Sequence, residues 1–447
     1  MRKDYQNQEI DTSQPAVRKD YQNQEIDTSQ PAVPDTVSVA LAELAGEMRE
    51  GLLALAVGTG LQVMAAIMEA DVTAACGPTG RHDPDRTAVR HGHGPGSVTL
   101  GGRRVPVERP RMRATDGSGE LPIPAYELFS DTEVLGRMAL ERMLAGLSTR
   151  RYPVALEPVG ARTEQAASAT SRSAVSRRFV VQTETALAQL LAADLASLDL
   201  VALMVDGVHF GEHTCIVALG IDIDGVKHPL SLVEGSTENT TLVTELIVGL
   251  RERGLDVTRP ILAVLDGSKA LRRAVVDVFD RPVIGRCQLH KIRNVQDRLP
   301  DKLRSVVAAR MRRAYHAESA LAAEAELAAL AAELDKTHPG AAASLREGLA
   351  ETLTVLRLGI SPTLARTLRS TNAIESMISI CRSHARNVKR WRDGQMALRW
   401  CAAGMVEAGQ QFRRVNGHLH LRSLRDTLEK VTETVGTTVH DEAVNAA

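Results

Sequence analysis

The sequence has few aromatic residues, few cysteines and no strong charge of either sign. Phenylalanine, tyrosine and tryptophan together make 3% of the 447 residues, which leaves few rings to stack on a planar ligand. The 5 cysteines, Cys76, Cys215, Cys287, Cys381 and Cys401, are scattered and odd in number, and no signal peptide is read alongside them. This argues against a secreted disulfide framework, and a reducing cytoplasm is expected. No apolar run is read as approaching the roughly 20 residues that span a bilayer, so membrane functions are set aside. The formal net charge is only -1, but a balanced total can hide segregated patches, and a polyanion responds to patches. The length allows two or three domains with cores that need no disulfide.

Residues 2–17 recur unchanged as residues 18–33, a polar copy too short for a solenoid repeat, read as a disordered tail with no function of its own. Residues 34–195 read as a mainly helical region. Residues 37–75 suggest two helices broken around Gly58-Thr-Gly60, and residues 81–113 hold eight arginines against three acidic residues with Gly-rich turns, a basic hairpin or wing. A helical run over 132–146 follows. Residues 170–179 then place small hydroxyl residues before Arg172, Arg177 and Arg178, as in the recognition helix of a helix-turn-helix, although a capped surface helix has the same signature.

Residues 196–300 have a different texture. Apolar strands are read at 198–205, ending in Asp206-Gly207, and at 214–223; a turn at Asp224-Gly225 leads to a third at 228–233. A helix over 240–253, a strand over 261–265 ending in Asp266-Gly267, a helix over 268–279 and a strand over 282–287 complete the order β-β-β-α-β-α-β. This is a mixed α/β sheet with the element order of an RNase H-like core. Residues 301–360 are almost all helix formers with a break only at His338-Pro-Gly340, an all-helical insertion. Residues 361–412 supply the final helices, one from about Ser370 through Glu375 towards Arg390 and one over 394–412, and residues 413–447 are read as a C-terminal tail.

Asp206 and Asp266 each stand where a strand gives way to glycine, so a carboxylate leaves the core while staying on rigid backbone. Asp-Gly alone is a common turn dipeptide, as at Asp224-Gly225. Topology strengthens the pair: in an RNase H-like sheet of this order the first and fourth strands are neighbours, which brings both carboxylates to one place. There they repel unless a cation lies between them. Mg²⁺ prefers such hard oxygen ligands, and two ions roughly 4 Å apart serve phosphodiester cleavage and transfer. Glu375 is the candidate third carboxylate, with Arg382 two helical turns on and on the same face, where it could hold a phosphate. An acid near a helix N-terminus is also favoured by the macrodipole alone.

The segments Asp206-Gly207, Gly254-Leu, Leu265-Asp266-Gly267, Arg286-Cys-Gln-Leu-His-Lys-Ile-Arg-Asn294 and Thr371-Asn-Ala-Ile-Glu375 resemble the Mutator-type family of bacterial insertion-sequence transposases. The resemblance runs over residues 37–407. It implies an RNase H-like domain with a helical insertion before the last acid, and a DDE triad at Asp206, Asp266 and Glu375. It implies Mg²⁺, with Mn²⁺ able to substitute, terminal inverted repeats and target DNA as partners, a homodimer or higher oligomer on DNA, and a bacterial cytoplasmic, nucleoid-associated location. Cys287 and His290 correspond to a motif near the centre; a lone Cys-x-x-His supplies two of the four ligands zinc takes, so packing or hydrogen bonding is expected. The basic run Arg382, Arg386, Lys389, Arg390 and Arg392, with Trp391 among it, suits a surface that tracks a DNA backbone. With so few rings, stacking on flipped bases is not expected to dominate recognition. Two alternatives remain, an inactive or domesticated relative that only binds DNA, and a nuclease without strand transfer.

Overall fold

The computed structural model describes residues 51–81, 83–235 and 239–445, with side chains up to 433. The duplicated segment and the beginning of the first expected helix lie outside the described residues. Helix α1 (Leu52–Cys76) runs unbroken through Gly58 and Gly60, contrary to the expected break. Glycine in a helix interior costs only about 1 kcal/mol against alanine, and the burial of Met68, Val72 and Cys76 against Ala88, Met112 and Ile123 offsets it. Because it is unbroken, α1 is long and apolar enough to cross a membrane by length and composition, which corrects the reading that no such stretch exists.

Strands β1 (Ala88–Leu100) and β2 (Arg103–Ala114) form the expected hairpin, extended by the two-residue β3 (Glu120–Leu121). Gly101 and Gly102 both have positive φ, 54° and 78°, as a tight two-residue hairpin turn requires. The arginines of this hairpin are less free than their number suggests. Arg90 pairs with Glu69, Arg103 with Glu164, and Arg109 and Arg111 with Glu120.

Helices α2 (Pro124–Ser130), α3 (Glu133–Leu144) and α4 (Ala161–Ala166) lead to α5 (Arg172–Ala192), capped by the Ser171 hydroxyl accepting from the Ala174 amide. Then come β4 (Leu200–Phe210), β5 (His213–Asp222), β6 (Lys227–Gly235), α6 (Thr240–Glu252), β7 (Ile261–Leu265), α7 (Lys269–Val278) and β8 (Pro282–Arg286). The sheet order is β6-β5-β4-β7-β8. Pairings are antiparallel across the first three strands and parallel from β4 to β7 to β8. Side chains alternate between faces along a strand. Ala202, Met204, Val208, Leu262 and Val264 therefore join one core, and Leu203, Val205, Ala263 and Leu265 the other, against α6 and α7. A sheet covered on both faces reads as continuous apolar runs, which is why these strands were legible.

Beyond β8 lie α8 (Gln288–Gln296), α9 (Asp301–Ala314), α10 (Ala320–Asp335), α11 (Pro339–Arg346), α12 (Leu349–Thr352) and α13 (Thr354–Arg357). They enclose a core of their own around Met311, Leu327, Leu330 and Leu345. The helical stretch is broken in more places than expected. Ser319 caps α10 by accepting from the Ala322 amide, and Gly348 at φ 62° separates α11 from α12.

Helices α14 (Pro362–Leu368), α15 (Asn372–Ala385) and α16 (Gly394–Gln411) return the chain to the sheet. Helix α15 ends at Ala385 rather than continuing towards Arg390, so Arg386, Lys389, Arg390 and Arg392 lie on the connection to α16. Residues 413–447 are more than a tail: α17 (Leu421–Asn445) buries Leu421, Leu424 and Leu428 completely in the main core. Its Arg425 donates to the Leu200 carbonyl and pairs with Asp199. Leu424→Ala is expected to cost about 3 kcal/mol by the loss of a fully buried side chain. Denaturant titration checks this, and a loss under about 1 kcal/mol would mean that α17 is peripheral.

Candidate catalytic and metal-binding site

Strand β4 does not end at Asp206. It continues through Asp206↔Val217 and Gly207↔Ile216 to Phe210, because β5 supplies partners for the whole length while β7 stops at Leu265. Asp206 thus occupies the apolar stripe between Met204 and Val208 and faces the core that contains α15. The parallel register Met204↔Val264, carried on by two residues, sets Asp266 beside it on the same face. The Asp266 carboxylate accepts from the Ser268 amide at 2.8 Å, fixing the turn into α7. From above, Glu375 stands on the first turn of α15 between Ile374 and Met377, both buried in that core.

The electrostatics record this convergence. Burial pushes the Asp206 carboxyl up to about 6; the Gly207 amide pulls it back, Asp266 and Glu375 push it further, and His290 lowers it. The structure therefore brings Asp266, Glu375 and His290 within electrostatic reach of Asp206.

Cys287 and His290 join the same place. Cys287 is fully buried at the end of β8, and its sulfur accepts from the Thr371 amide at 3.4 Å. The Thr371 hydroxyl lies 3.3 Å from His290 Nδ1 and 2.9 Å from Glu375 Oε1. One proton arrangement satisfies both contacts: the imidazole N–H donates to the hydroxyl, which donates to the carboxylate. Burial pushes the Cys287 thiol up, yet hydrogen bonds with His290 and Thr371 outweigh it and leave the thiol lowered. His290 is correspondingly raised, first by Cys287, against burial and with help from Glu375 and Asp206. Ligand atoms of Cys287, His290 and Glu375 lie within 4.8 Å of one another, whereas the three carboxylates are not gathered that tightly.

Three residues of this neighbourhood stand in the segments that carry the resemblance but are given no role there. Thr371 connects the Cys-x-x-His segment to Glu375, and its place four residues before that acid at a helix start was the available signal. Arg286, only 7% exposed, donates to the Glu347 carbonyl and packs against Gly267 and Gly348. Lys291, fully buried, donates to the Ser344 carbonyl at 2.6 Å. Together they clamp β8 and α8 to the end of α11.

The expected DNA-contacting residues fall in two groups. Arg172 and Arg177 are exposed on the first turns of α5, while Arg178 is half-buried and donates to the Ala169 carbonyl. The rest of α5 is a core element: Phe179 packs on Trp400 with ring centroids 4.5 Å apart. Arg382 is exposed on α15, and Arg386, Lys389, Arg390 and Arg392 are exposed beyond it. Trp391 is half-buried against Phe210, 4.9 Å between centroids, so it anchors this basic connection to the tip of β4 instead of facing outward.

The family described as "Transposase, Mutator family" matches residues 38–415 of the chain. The transposase for insertion sequence element ISRM5 of Rhizobium meliloti (strain 1021) is 27% identical over 374 residues, 81% of this chain and 90% of that protein. The transposase for insertion sequence element IS6120 of Mycolicibacterium smegmatis is 29% identical over 280 residues, 61% of this chain and 84% of that one. The transposase for insertion sequence element IS256 in transposon Tn4001 of Staphylococcus aureus is 26% identical over 227 residues, 49% of this chain and 55% of its own length. With a match that takes in both the sheet and the helical insertion, the chain belongs to the Mutator family of transposases.

Proposed function

We propose that the chain is an insertion-sequence transposase that binds terminal inverted repeats in the bacterial cytoplasm and cuts and joins DNA strands at an RNase H-like site. The observation that carries this reading is the register that sets Asp206 beside Asp266 on the sheet face beneath Glu375. Strand order and the helical insertion before Glu375 are consistent with it. Oxygen donors of this kind fit Mg²⁺, with Mn²⁺ as a substitute. Such ions, when bound, activate the attacking water or 3′-hydroxyl and stabilise the leaving oxygen. Asp206 and Asp266 hold their positions through backbone amides, and Thr371 orients Glu375. His290 adds a positive charge beside the acids when protonated. Two element ends have to be held together for joining, so the active form is a dimer or larger on DNA.

Labelled element ends incubated with target DNA and Mg²⁺ are expected to yield cleaved ends and joined products. Asp206→Ala, Asp266→Ala and Glu375→Ala should yield neither while binding DNA like the parent. A chain that binds the ends but never cleaves them is the inactive relative, and cleavage without joining is the nuclease. The closeness of Cys287, His290 and Glu375 favours a second reading, a softer metal on these three. Zinc that remains after dialysis and disappears in Cys287→Ser would establish it.

The basic residues should show in the salt dependence. Each phosphate contact contributes about 0.9 to the slope of log affinity against log salt. Arg177→Ala is expected to lower that slope by about 1, and Arg390→Ala likewise. Arg178→Ala should leave it nearly unchanged, because that guanidinium is held by the Ala169 carbonyl.

A further inference from the structure

Between the helical insertion and the start of the Glu375 helix lies a cleft that the catalytic reading does not use. It has two adjoining lobes, of 420 Å³ and 200 Å³, which share Gln288, Tyr315, His316, Arg366 and Arg369. Leu356, Ile360 and Ala365 give the larger lobe an apolar floor. Its rim is cationic. The nearby Arg304, Arg310 and Arg313 pair with Asp301, Glu333 and Glu326, whereas Arg312, Arg366 and Arg369 make no ion pair among the described residues. Glu318 is the acid among the lining residues. Arg369 donates to His316 Nε2 at 2.6 Å, and His316 Nδ1 reaches the Arg312 carbonyl at 2.7 Å. The imidazole accepting at one nitrogen and donating at the other bridges the ends of α9 and α14 and divides the lobes.

The position of the cleft matters as much as its chemistry. The Gln288 amide donates to the Arg369 carbonyl at 2.9 Å, one residue after Cys287. Ser370 and Asn372 line the smaller lobe, and between them stands Thr371, which holds Glu375. The wall of the cleft is therefore joined to Glu375 through the single residue Thr371. A surface that only follows a phosphate backbone has no use for an apolar floor, and a purely apolar ligand has no use for three uncompensated arginines. A nucleotide needs both.

We infer that the cleft takes one nucleotide flanking the cleavage point, unstacked from the duplex, with its base over Ile360 and Leu356 and its phosphates on Arg366, Arg369 and Arg312. The inference rests on the DNA-cleaving reading above. The larger lobe falls within the range of ordinary small-molecule pockets, about 300–1,000 Å³. Extruding a base needs a pocket that replaces its stacking contacts. Here aliphatic side chains and guanidinium groups do so, in keeping with a chain that has few aromatic rings.

The test places 2-aminopurine singly at each position around the cleavage point of an element-end duplex, bound to the full-length protein in Ca²⁺ to prevent cutting. One position is expected to brighten about threefold or more as its base leaves the stack. Ile360→Trp, which fills the floor and keeps every arginine, should remove that rise and slow Mg²⁺-dependent cleavage about tenfold. An abasic nucleotide at the same position should restore the rate of Ile360→Trp, a recovery that a merely unfolded variant would not show. Arg366→Gln, at an exposed side chain, should weaken the fluorescence rise without lowering the melting temperature. If no position brightens and Ile360→Trp cuts like the parent, the cleft takes no nucleotide and the inference is overturned while the DNA-cleaving reading stands. If the parent itself neither binds nor cuts the duplex, the underlying reading fails and the inference with it.

Discussion

Asp206→Asn is expected to lower strand cleavage by about 10³-fold or more and, in the absence of divalent metal, to make the protein more stable. Both effects have one origin. Asp206 is a carboxylate placed in a buried apolar stripe, so burial raises its carboxyl from 3.8 to about 6, with Asp266 and Glu375 adding to the rise. A tenfold change in proton affinity corresponds to about 1.4 kcal/mol, and allowance for partial solvent contact leaves on the order of 2 kcal/mol at neutral pH. The sign follows from proton binding: between the two values the folded chain holds a proton that the unfolded chain has lost, so stability falls as pH rises. The advantage of Asn should accordingly be absent below about pH 4, grow towards pH 6 and stay constant above it. Addition of Mg²⁺ should stabilise the parent and leave Asp206→Asn unaffected, since only a form that binds the ion gains from it. Thermal melts of both proteins at pH 4, 6 and 8, with and without Mg²⁺, separate these expectations. A variant less stable than the parent at pH 8 without metal would show that Asp206 is not an electrostatic liability, and the metal assignment would lose its main physical support.

Much of the sheet was legible because its strands are buried on both faces. Residues 261–265 were read with the bounds the structure gives β7, since a short apolar run between turn residues has few other interpretations. The end of β4 was not legible. Asp206-Gly207 looks like a turn locally, and only the pairing with β5 and the contact of Phe210 with Trp391 show the strand continuing. The end of α15 was hidden for a related reason. Nothing in the local pattern separates Ala385 from Arg390, whereas the ring of Trp391 is drawn away to Phe210 and Trp400. Of the candidate site, the two aspartates are proposed from strand order as well as resemblance, and Glu375 and the Cys287 and His290 pair from resemblance. Arg286 was read only as the first residue of a family segment; its hold on the Glu347 carbonyl could not be read, because that acceptor lies 61 residues away in a helical segment whose docking has no local signature.

That hidden arginine governs the second large effect. Gly267→Ala is expected to reduce cleavage about 100-fold while DNA binding survives. Gly267 has φ 110°, a conformation that side chains rarely adopt, and an added Cβ would meet Arg286 Nε at 2.2 Å. A flexible arginine would ordinarily swing aside. Arg286 cannot, being held by the Glu347 carbonyl at 3.0 Å and packed against Gly348, where a Cβ would also collide with it. The turn has to yield instead, and that turn carries Asp266. For the catalytic role proposed for Asp266, a displacement of about 1 Å is enough for a loss of this size, and the strained backbone adds roughly 1–3 kcal/mol of destabilisation. Gly249→Ala supplies the contrast: it lies within α6 with nothing within 4 Å of an added Cβ, so it should be neutral or stabilise by up to about 1 kcal/mol. Arg286→Ala combined with Gly267→Ala isolates the clash, since the double variant should recover part of what the single one loses. If Gly267→Ala cuts DNA like the parent, the Asp266 turn tolerates the shift, and the rigid placement argued for the two aspartates does not hold.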